Sequence, residues 1–263
     1  MLRIATWNIN SVRLRIGLVV RFLEEAKPDV LCLQEIKCRD GEFPAKALRQ
    51  AGYKHLHVVG QKGWHGVAIV SKRKLEPVEA PPLCSKGEAR IAAALVDGVE
   101  IHSLYVPAGV DIPDPIANPK FAHKLGFLDL MRDAYAKRKR TPLVLVGDLN
   151  VAPGEFDVWS HKQLLNVVSH TPAETSRLDA VREAGDFIDL ARQHRPEPEK
   201  LFTWWSYRSP DWTKNNRGRR LDHIWASADL APASRAEAFK IHVACRSWER
   251  PSDHVPLVAG LML

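Results

Sequence analysis

The sequence predicts a mixed α/β layered domain, on three observations. Short apolar or alternating runs of strand length recur along the 263 residues. Stretches with apolar residues at helical spacing separate some of these runs. Other runs follow one another through short turns alone, which a purely parallel, doubly wound sheet does not allow. Parallel and antiparallel neighbours are both expected, with the strand order left open.

The first run, LRIATWNIN, reads as a strand, and RIGLVVRFLEEAK behind it as an amphipathic helix punctuated by Pro28. DVLCLQE is a second buried strand, ending on Gln34 and Glu35. FPAKALRQAG reads as a short helix closed by Gly52. YKHLHVV, GVAIVSK, ARIAAALVDG and VEIHSLYVP then follow as successive strands. PAGVDIPDPIANP is a loop, and KFAHKLGFLDLMRDAYAKRKR is the longest helical pattern, stopped by Thr141-Pro142. TPLVLVGDLN reads as a buried strand ending on Asp148 and Asn150, with Gly147 expected to let the backbone pass close to a site there. Residues 151–200 read as loops and helices such as ETSRLDAVREAG. FTWWSY, RLDHIWAS, IHVACRS and VPLVAGLML resume strand character.

With 45% hydrophobic and 26% charged residues, the chain has an ordinary globular composition. It carries no Ser/Gly-rich linker and no fixed-period repeat, so one domain over 1–263 is expected. No apolar run approaches the ~20 residues of a membrane span. The opening MLRIATWNIN lacks the basic start and apolar region of a signal peptide, so a cytoplasmic protein is the expectation. The four cysteines are scattered without a C-x-x-C pair, which argues against zinc or redox use and for free thiols. A net charge of +7 suits a polyanionic partner, nucleic acid first among them. KRKR at 137–140 is explained as the end of a helix, where cations favour the macrodipole. KNNRGRR at 214–220, a loop beside the aromatic WWSY, is less easily dismissed.

The polar residues fall at strand ends: Asn8, Glu35, Tyr105, Asp148 with Asn150, Asp222, and Asp253-His254. Any one of these is explained as a turn or cap, since Asp and Asn favour both. Six together are harder to explain so, and resemble a polar floor at one rim of a sheet structure. Carboxylates and amides are hard oxygen donors of the kind Mg²⁺ prefers. The sequence has no H-E-x-x-H, no G-x-S-x-G and no P-loop, which disfavours zinc hydrolysis, acyl transfer and nucleotide triphosphate hydrolysis. Acids, one imidazole and a hard cation make a site for attack of water on a phosphate ester.

WNIN, LQEIK, GQKGWHGVAI, YVPAG, GDLN, FTWWSYR, NNRGRRLD and PSDHVP occur in order between residues 4 and 258. In this ordered set the chain resembles the exonuclease III-type apurinic/apyrimidinic endonucleases of the endonuclease/exonuclease/phosphatase superfamily. The resemblance implies a four-layer α/β sandwich, two mixed β-sheets packed face to face and flanked by helices. It implies Mg²⁺ (or Mn²⁺) held by Glu35 with Asn8 beside it and Asp253 nearby. Asp148, helped by Asn150, would orient and deprotonate water. Asp222 would hold His254 against the scissile phosphate, and Tyr105 would contact the phosphate or leaving group. Lys37 follows the metal ligand as in the family. Trp204 aligns with an aromatic wall for an abasic sugar, and Lys214, Arg217 and Arg219 would meet DNA. Arg219 stands where better-known relatives carry Trp or Leu, and Ala108 where they often carry Asn or Gln. Both departures bear on abasic-site preference relative to 3′-end trimming.

The implied activity is incision 5′ to abasic sites, with 3′-phosphatase, 3′-phosphodiesterase and 3′→5′ exonuclease action on duplex DNA by a monomer. Two alternatives stand beside it: a phosphatase or phosphodiesterase for a smaller ester, and a non-catalytic nucleic-acid-binding relative.

Overall fold

The computed structural model describes residues 1–208 and 211–263. In chain order the strands are β1 (Leu2–Asn8), β2 (Val30–Gln34), β3 (His55–Val59), β4 (Val67–Ser71), β5 (Glu76–Pro77), β6 (Ile91–Val96), β7 (Val99–Tyr105), β8 (Leu143–Asp148), β9 (Phe187–Asp189), β10 (Asp222–Ser227), β11 (Lys240–Ile241) and β12 (Leu257–Leu261). The α-helices are α1 (Ile16–Ala26), α2 (Ala45–Gln50), α3 (Pro119–Ala136), α4 (His161–Leu164), α5 (Pro172–Ala184), α6 (Leu190–His194) and α7 (Trp212–Asn215).

The helices end where local chemistry predicts. In α1, Val19, Phe22, Leu23 and Ala26 form one buried stripe, and Lys27 closes it in the left-handed conformation ahead of Pro28. In α3, Pro119 occupies the first turn and the Asn118 side chain accepts from the Lys120 N–H. Its last residue is Ala136, so the 137–140 cations follow the helix instead of lying in its final turn.

Two six-stranded sheets result, ordered β11-β12-β1-β2-β4-β3 and β5-β6-β7-β8-β10-β9. Each has one parallel pair at its centre, β1 with β2 and β7 with β8, and antiparallel neighbours outside it. The parallel pairs require crossovers, and α1 and α3 supply them. Leu2, Ile4, Cys32, Ile69, Ala92, Val144, Ile224 and Leu257 share the core between the sheets. The outer face of the first sheet packs Trp7 and Leu33 against Phe22 and Leu23 of α1. The outer face of the second packs Leu145 and Trp225 against Phe127 and Met131 of α3 and Val181 of α5. These are the four layers of an α/β sandwich.

Three segments depart from the sequence reading. FTWWSY forms no strand: Trp204 makes only isolated bridges to Arg219 and His254. IHVACRS is strand only at Ile241, the end of β11, and then coils into a 3₁₀ turn, Val243–Ser247. Within 151–200 lies β9, three residues paired antiparallel to β10, too short to leave a periodic signal.

Candidate active site

Strand direction gathers the polar ends. Parallel β1 and β2 finish together, as do β7 and β8, with Tyr105 opposite Asp148. Antiparallel β10 begins there, Asp222 opposite Asp148. Side chains alternate across a strand, so Asp148 shares the inward face of Val144 and Val146, and Asp222 that of Ile224 and Ala226. The same parity turns Asn8 inward with Ile4, and Tyr105 with Ile101. The floor is the polar end of the inter-sheet core. Beneath it, buried Gln34 donates to Thr6 Oγ1 (3.1 Å) and to Ser103 Oγ (3.0 Å), fastening one sheet to the other.

Asn8 joins the two halves. Its Nδ2 donates to Glu35 Oε1 at 2.9 Å and to Asp148 Oδ2 at 2.8 Å, while its Oδ1 accepts from the Asn10 N–H. Lys37 Nζ lies 2.9 Å from Glu35 Oε2 and donates to Asn10 Oδ1 at 2.6 Å. Asn10 in turn donates to Asp253 Oδ1 at 3.0 Å, and Trp204 Nε1 donates to Asp253 Oδ2 at 2.9 Å.

Asp148 Oδ1 accepts from the Asn150 N–H at 2.9 Å, and Oδ2 from Asn150 Nδ2 at 3.1 Å. Asn150 itself is in the left-handed region, φ +53°. The Asp-Leu-Asn segment is thus an Asx-type turn and part of the floor at once. His254 Nδ1 lies 2.8 Å from Asp222 Oδ2, and its Nε2 lies 3.7 Å from Asp148 Oδ2. Thr203 Oγ1 donates to Asp222 Oδ2 at 2.6 Å while accepting from the Leu221 and Asp222 N–H groups.

The charges follow from burial and neighbours. Burial pushes the Asp148 carboxyl up to about 7, with His254 pulling against it and Asp222 and Glu35 adding to it. Burial alone would lower His254, but Asp222 and Asp148 outweigh it and raise the imidazole to about 10. Burial likewise opposes ionisation of Asp253, yet His254, Asn10 and Trp204 hold it below the ordinary carboxylate range. Tyr105 is raised well above an ordinary phenol by burial and by Glu35 and Asp148, so it remains a donor.

A hard divalent cation fits this donor set. Asp148, Asp222 and His254 bring one candidate ligand atom each within 4.8 Å of one another; the imidazolium has no free lone pair to give, so a cation would take the carboxylate and amide oxygens of the floor. Asp222 Oδ1 is buried without a hydrogen-bond partner. Oxygen donors dominate the floor, as Mg²⁺ prefers.

The rim holds the remaining expected residues. Arg219 Nη1 is anchored by Val168 O (2.9 Å) and Ser169 Oγ (2.7 Å), and its guanidinium lies 5.4 Å from the Trp204 ring centroid. Exposed Arg217 stacks 4.5 Å above Trp159, and exposed Lys214 lies on α7. The FTWWSY segment bridges the sheets here: Trp204 exchanges backbone bonds with Arg219 ahead of β10, and Trp205 N bonds Asp253 O ahead of β12.

Sequence reasoning missed Asn10, Thr203 and Arg90. Asn10 stood in the WNIN run with its partner Lys37 in LQEIK, a signal that was available. Thr203 stood in the FTWWSYR run, a signal likewise available, whereas Arg90 gave none. Arg90 reaches the rim because β6 runs antiparallel to β7; it donates to Tyr105 O at 3.1 Å and lies 4.8 Å over the Tyr105 ring.

Residues 5–254 match the Endonuclease/Exonuclease/phosphatase family. The chain belongs to that family. Exodeoxyribonuclease III of Haemophilus influenzae is 30% identical over 98% of this chain and 99% of its own length. An AP endonuclease structure from Archaeoglobus fulgidus superposes with a TM-score of 0.92 at 34% identity, covering 100% of both chains. A 3′ phosphatase from Neisseria, bound to a product DNA hairpin, superposes with a TM-score of 0.91 at 31% identity over 100% of both chains. As a member of the endonuclease/exonuclease/phosphatase family with such relatives, the chain is a hydrolase and an exonuclease III-type AP endonuclease homologue. No helix among the described residues is long and apolar enough to cross a membrane.

Proposed function

We propose that this chain is a Mg²⁺-dependent DNA-repair nuclease, acting as a single-domain, cytoplasmic monomer. It would incise 5′ to abasic sites and remove 3′-phosphates, 3′-phosphodiesters and 3′-terminal nucleotides from duplex ends. All of these break the same P–O3′ bond. The observation that carries the proposal is the continuous chain Glu35–Asn8–Asp148 facing His254–Asp222, built from both sheets.

In this reading Asp148 accepts the proton of the attacking water, and its value near 7 suits a base working at neutral pH. His254, kept as imidazolium by Asp222, donates to a non-bridging phosphate oxygen. Tyr105 donates its phenolic proton in a hydrogen bond to the phosphate or departing 3′-oxygen. Glu35, Asn8 and Asp253 would hold the cation or its water shell. Mg²⁺, when bound, would supply charge neutralisation on phosphate and leaving oxygen; Mn²⁺ accepts similar oxygen donors. Lys214, Arg217 and Arg219 neutralise flanking phosphates.

The Arg219–Trp204 stack favours a second emphasis within the same chemistry. A guanidinium in place of an apolar wall suits a 3′-terminal phosphate better than an abasic sugar. An end-labelled duplex with one abasic analogue and a second duplex with a 3′-phosphate, each with Mg²⁺ or EDTA, separate the cases. Cleavage dependent on Mg²⁺ is expected on both, with faster 3′-phosphate release. If neither duplex is cut, the proposal fails; if a small phosphate ester is hydrolysed regardless of competing duplex DNA, the enzyme acts on that ester instead.

A further inference from the structure

Outside the floor, the fold assembles a second group of ligand-type side chains that its sequence positions do not announce. Cys84 and Glu88 lie on the loop between β5 and β6, and His123 on α3. Gly87, at φ +64°, closes a turn in which its N–H bonds Cys84 O at 3.2 Å. That turn sets Cys84 and Glu88 on one side, and α3 brings His123 against them.

Cys84 Sγ lies 3.5 Å from His123 Nε2 and 3.9 Å from Glu88 Oε2. One ligand atom from each of the three residues falls within 4.8 Å of the others. We infer that Cys84, Glu88 and His123 form a binding site for a borderline-soft divalent cation of the Zn²⁺ class. Tetrahedral zinc with bonds of about 2.3 Å to sulfur and about 2.0 Å to nitrogen separates those two ligand atoms by about 3.5 Å. The observed separation already matches. Thiolate, imidazole and carboxylate together select zinc over magnesium, which takes oxygen donors. Three protein donors leave a fourth position for water or another ligand.

The surroundings are compatible with entry. All three residues are half-buried, and a cleft of ≈ 500 Å³ runs alongside, lined in part by Cys84, Glu88 and Arg90. The site lies one ion pair from the floor: Glu88 Oε2 also accepts from Arg90 Nε at 2.6 Å, and Arg90 covers Tyr105. An ion there shares Glu88 with the arginine that packs on the candidate active-site tyrosine.

Co²⁺ titrated into the full chain in excess Mg²⁺ tests the site, because only a thiolate ligand gives the sulfur-to-cobalt charge-transfer band. One equivalent should saturate the band, and Zn²⁺ should abolish it by displacement. Cys84→Ser should remove it, and His123→Ala should weaken Co²⁺ binding by more than the about 10–100-fold that losing an outer-shell partner of a ligand costs. Absence of the band in the parent protein, or its persistence in Cys84→Ser, overturns the inference and leaves a plain S–H···N hydrogen bond. The readout does not depend on DNA cleavage, so it stands or falls separately from the nuclease reading.

Discussion

At Asp148 two requirements meet in one carboxylate: it must bond its own turn, and it must stay exposed to a neighbouring charge. The Asn150 N–H and side chain, together with Asn8, fix its orientation. Burial and the nearby acids raise it to about 7. Asp148→Asn keeps the shape and removes the base, so kcat should fall by about 10²–10⁴ with KM for duplex DNA little changed. An equal loss shared with KM would show instead that Asp148 serves binding. The pH–rate profile carries a second expectation. The base must be deprotonated, so activity rises with pH through an acid limb near 7, moved lower when Mg²⁺ adds positive charge beside it. The imidazolium must be protonated, so activity falls above about 10. In Asp222→Asn, His254 loses its counter-charge, and the alkaline limb should move towards the ordinary histidine value of about 6.5. An unmoved limb would exclude His254 as the group responsible. Arg219→Leu replaces the stacked guanidinium by an apolar wall, and should raise abasic-site incision relative to 3′-phosphate release, read as the ratio of the two kcat/KM values.

Among the elements, β8 shows how closely the strand ends depend on their ladder. Gly147 has φ +141°, and a Cβ there would sit 2.0 Å from Leu104 O of β7. The sequence reading gave this glycine the task of letting backbone approach the site. The structure assigns it to the approach of β7 and β8 immediately before Asp148 and Tyr105. Gly147→Ala should destabilise the fold by about 4 kcal/mol, at the severe end for single substitutions, measured by urea unfolding. A loss under about 1 kcal/mol would mean that the strands separate readily. IHVACRS shows the opposite case. Its apolar run is long enough for a strand, yet only Ile241 of it pairs with β12, and the chain then turns to bury Cys245 and Arg246. A short apolar run does not distinguish a strand from a buried turn.

For the molecule as a whole, a buried ion cluster ties the 151–200 region to the second sheet. Arg220 donates to both oxygens of Asp157 (2.7 and 2.9 Å) and to Asp189 (2.7 Å), and Arg192 adds a further bond to Asp157. Burial opposes the Asp157 charge, but Arg220 and Arg192 hold it far below the ordinary carboxylate range. A depressed carboxyl stabilises the fold above its unfolded value of about 3.9, and that contribution is lost as pH falls towards the folded value. Asp157→Asn should cost about 3–5 kcal/mol at pH 7, with the gap to the parent protein narrowing below pH 4. A gap independent of pH would assign the loss to packing. The net charge of +7 makes a separate prediction at this scale. Duplex affinity should fall steeply with salt, and Arg217→Ala should reduce the log–log slope by about 0.9 if that side chain neutralises one phosphate; an unchanged slope would take Arg217 off the DNA path.

By itself the sequence determined the strand and helix periodicities, the class of fold, and the polar residues at the ends of apolar strands: Asn8, Glu35, Tyr105 and Asp148 where strands finish, and Asp222 where one begins. These are legible because a polar side chain closing an apolar run is a local contrast. Only the tertiary structure decided what lies across from them. Thr203 steadies Asp222 from a non-strand segment, and Arg90 reaches Tyr105 from the start of an antiparallel strand. Trp204 and Arg219 stack as a rim between the two sheets. Cys84 meets His123 across 39 positions. Such pairings depend on strand order and crossover packing, which sum over many weak contacts and leave no local pattern in the chain.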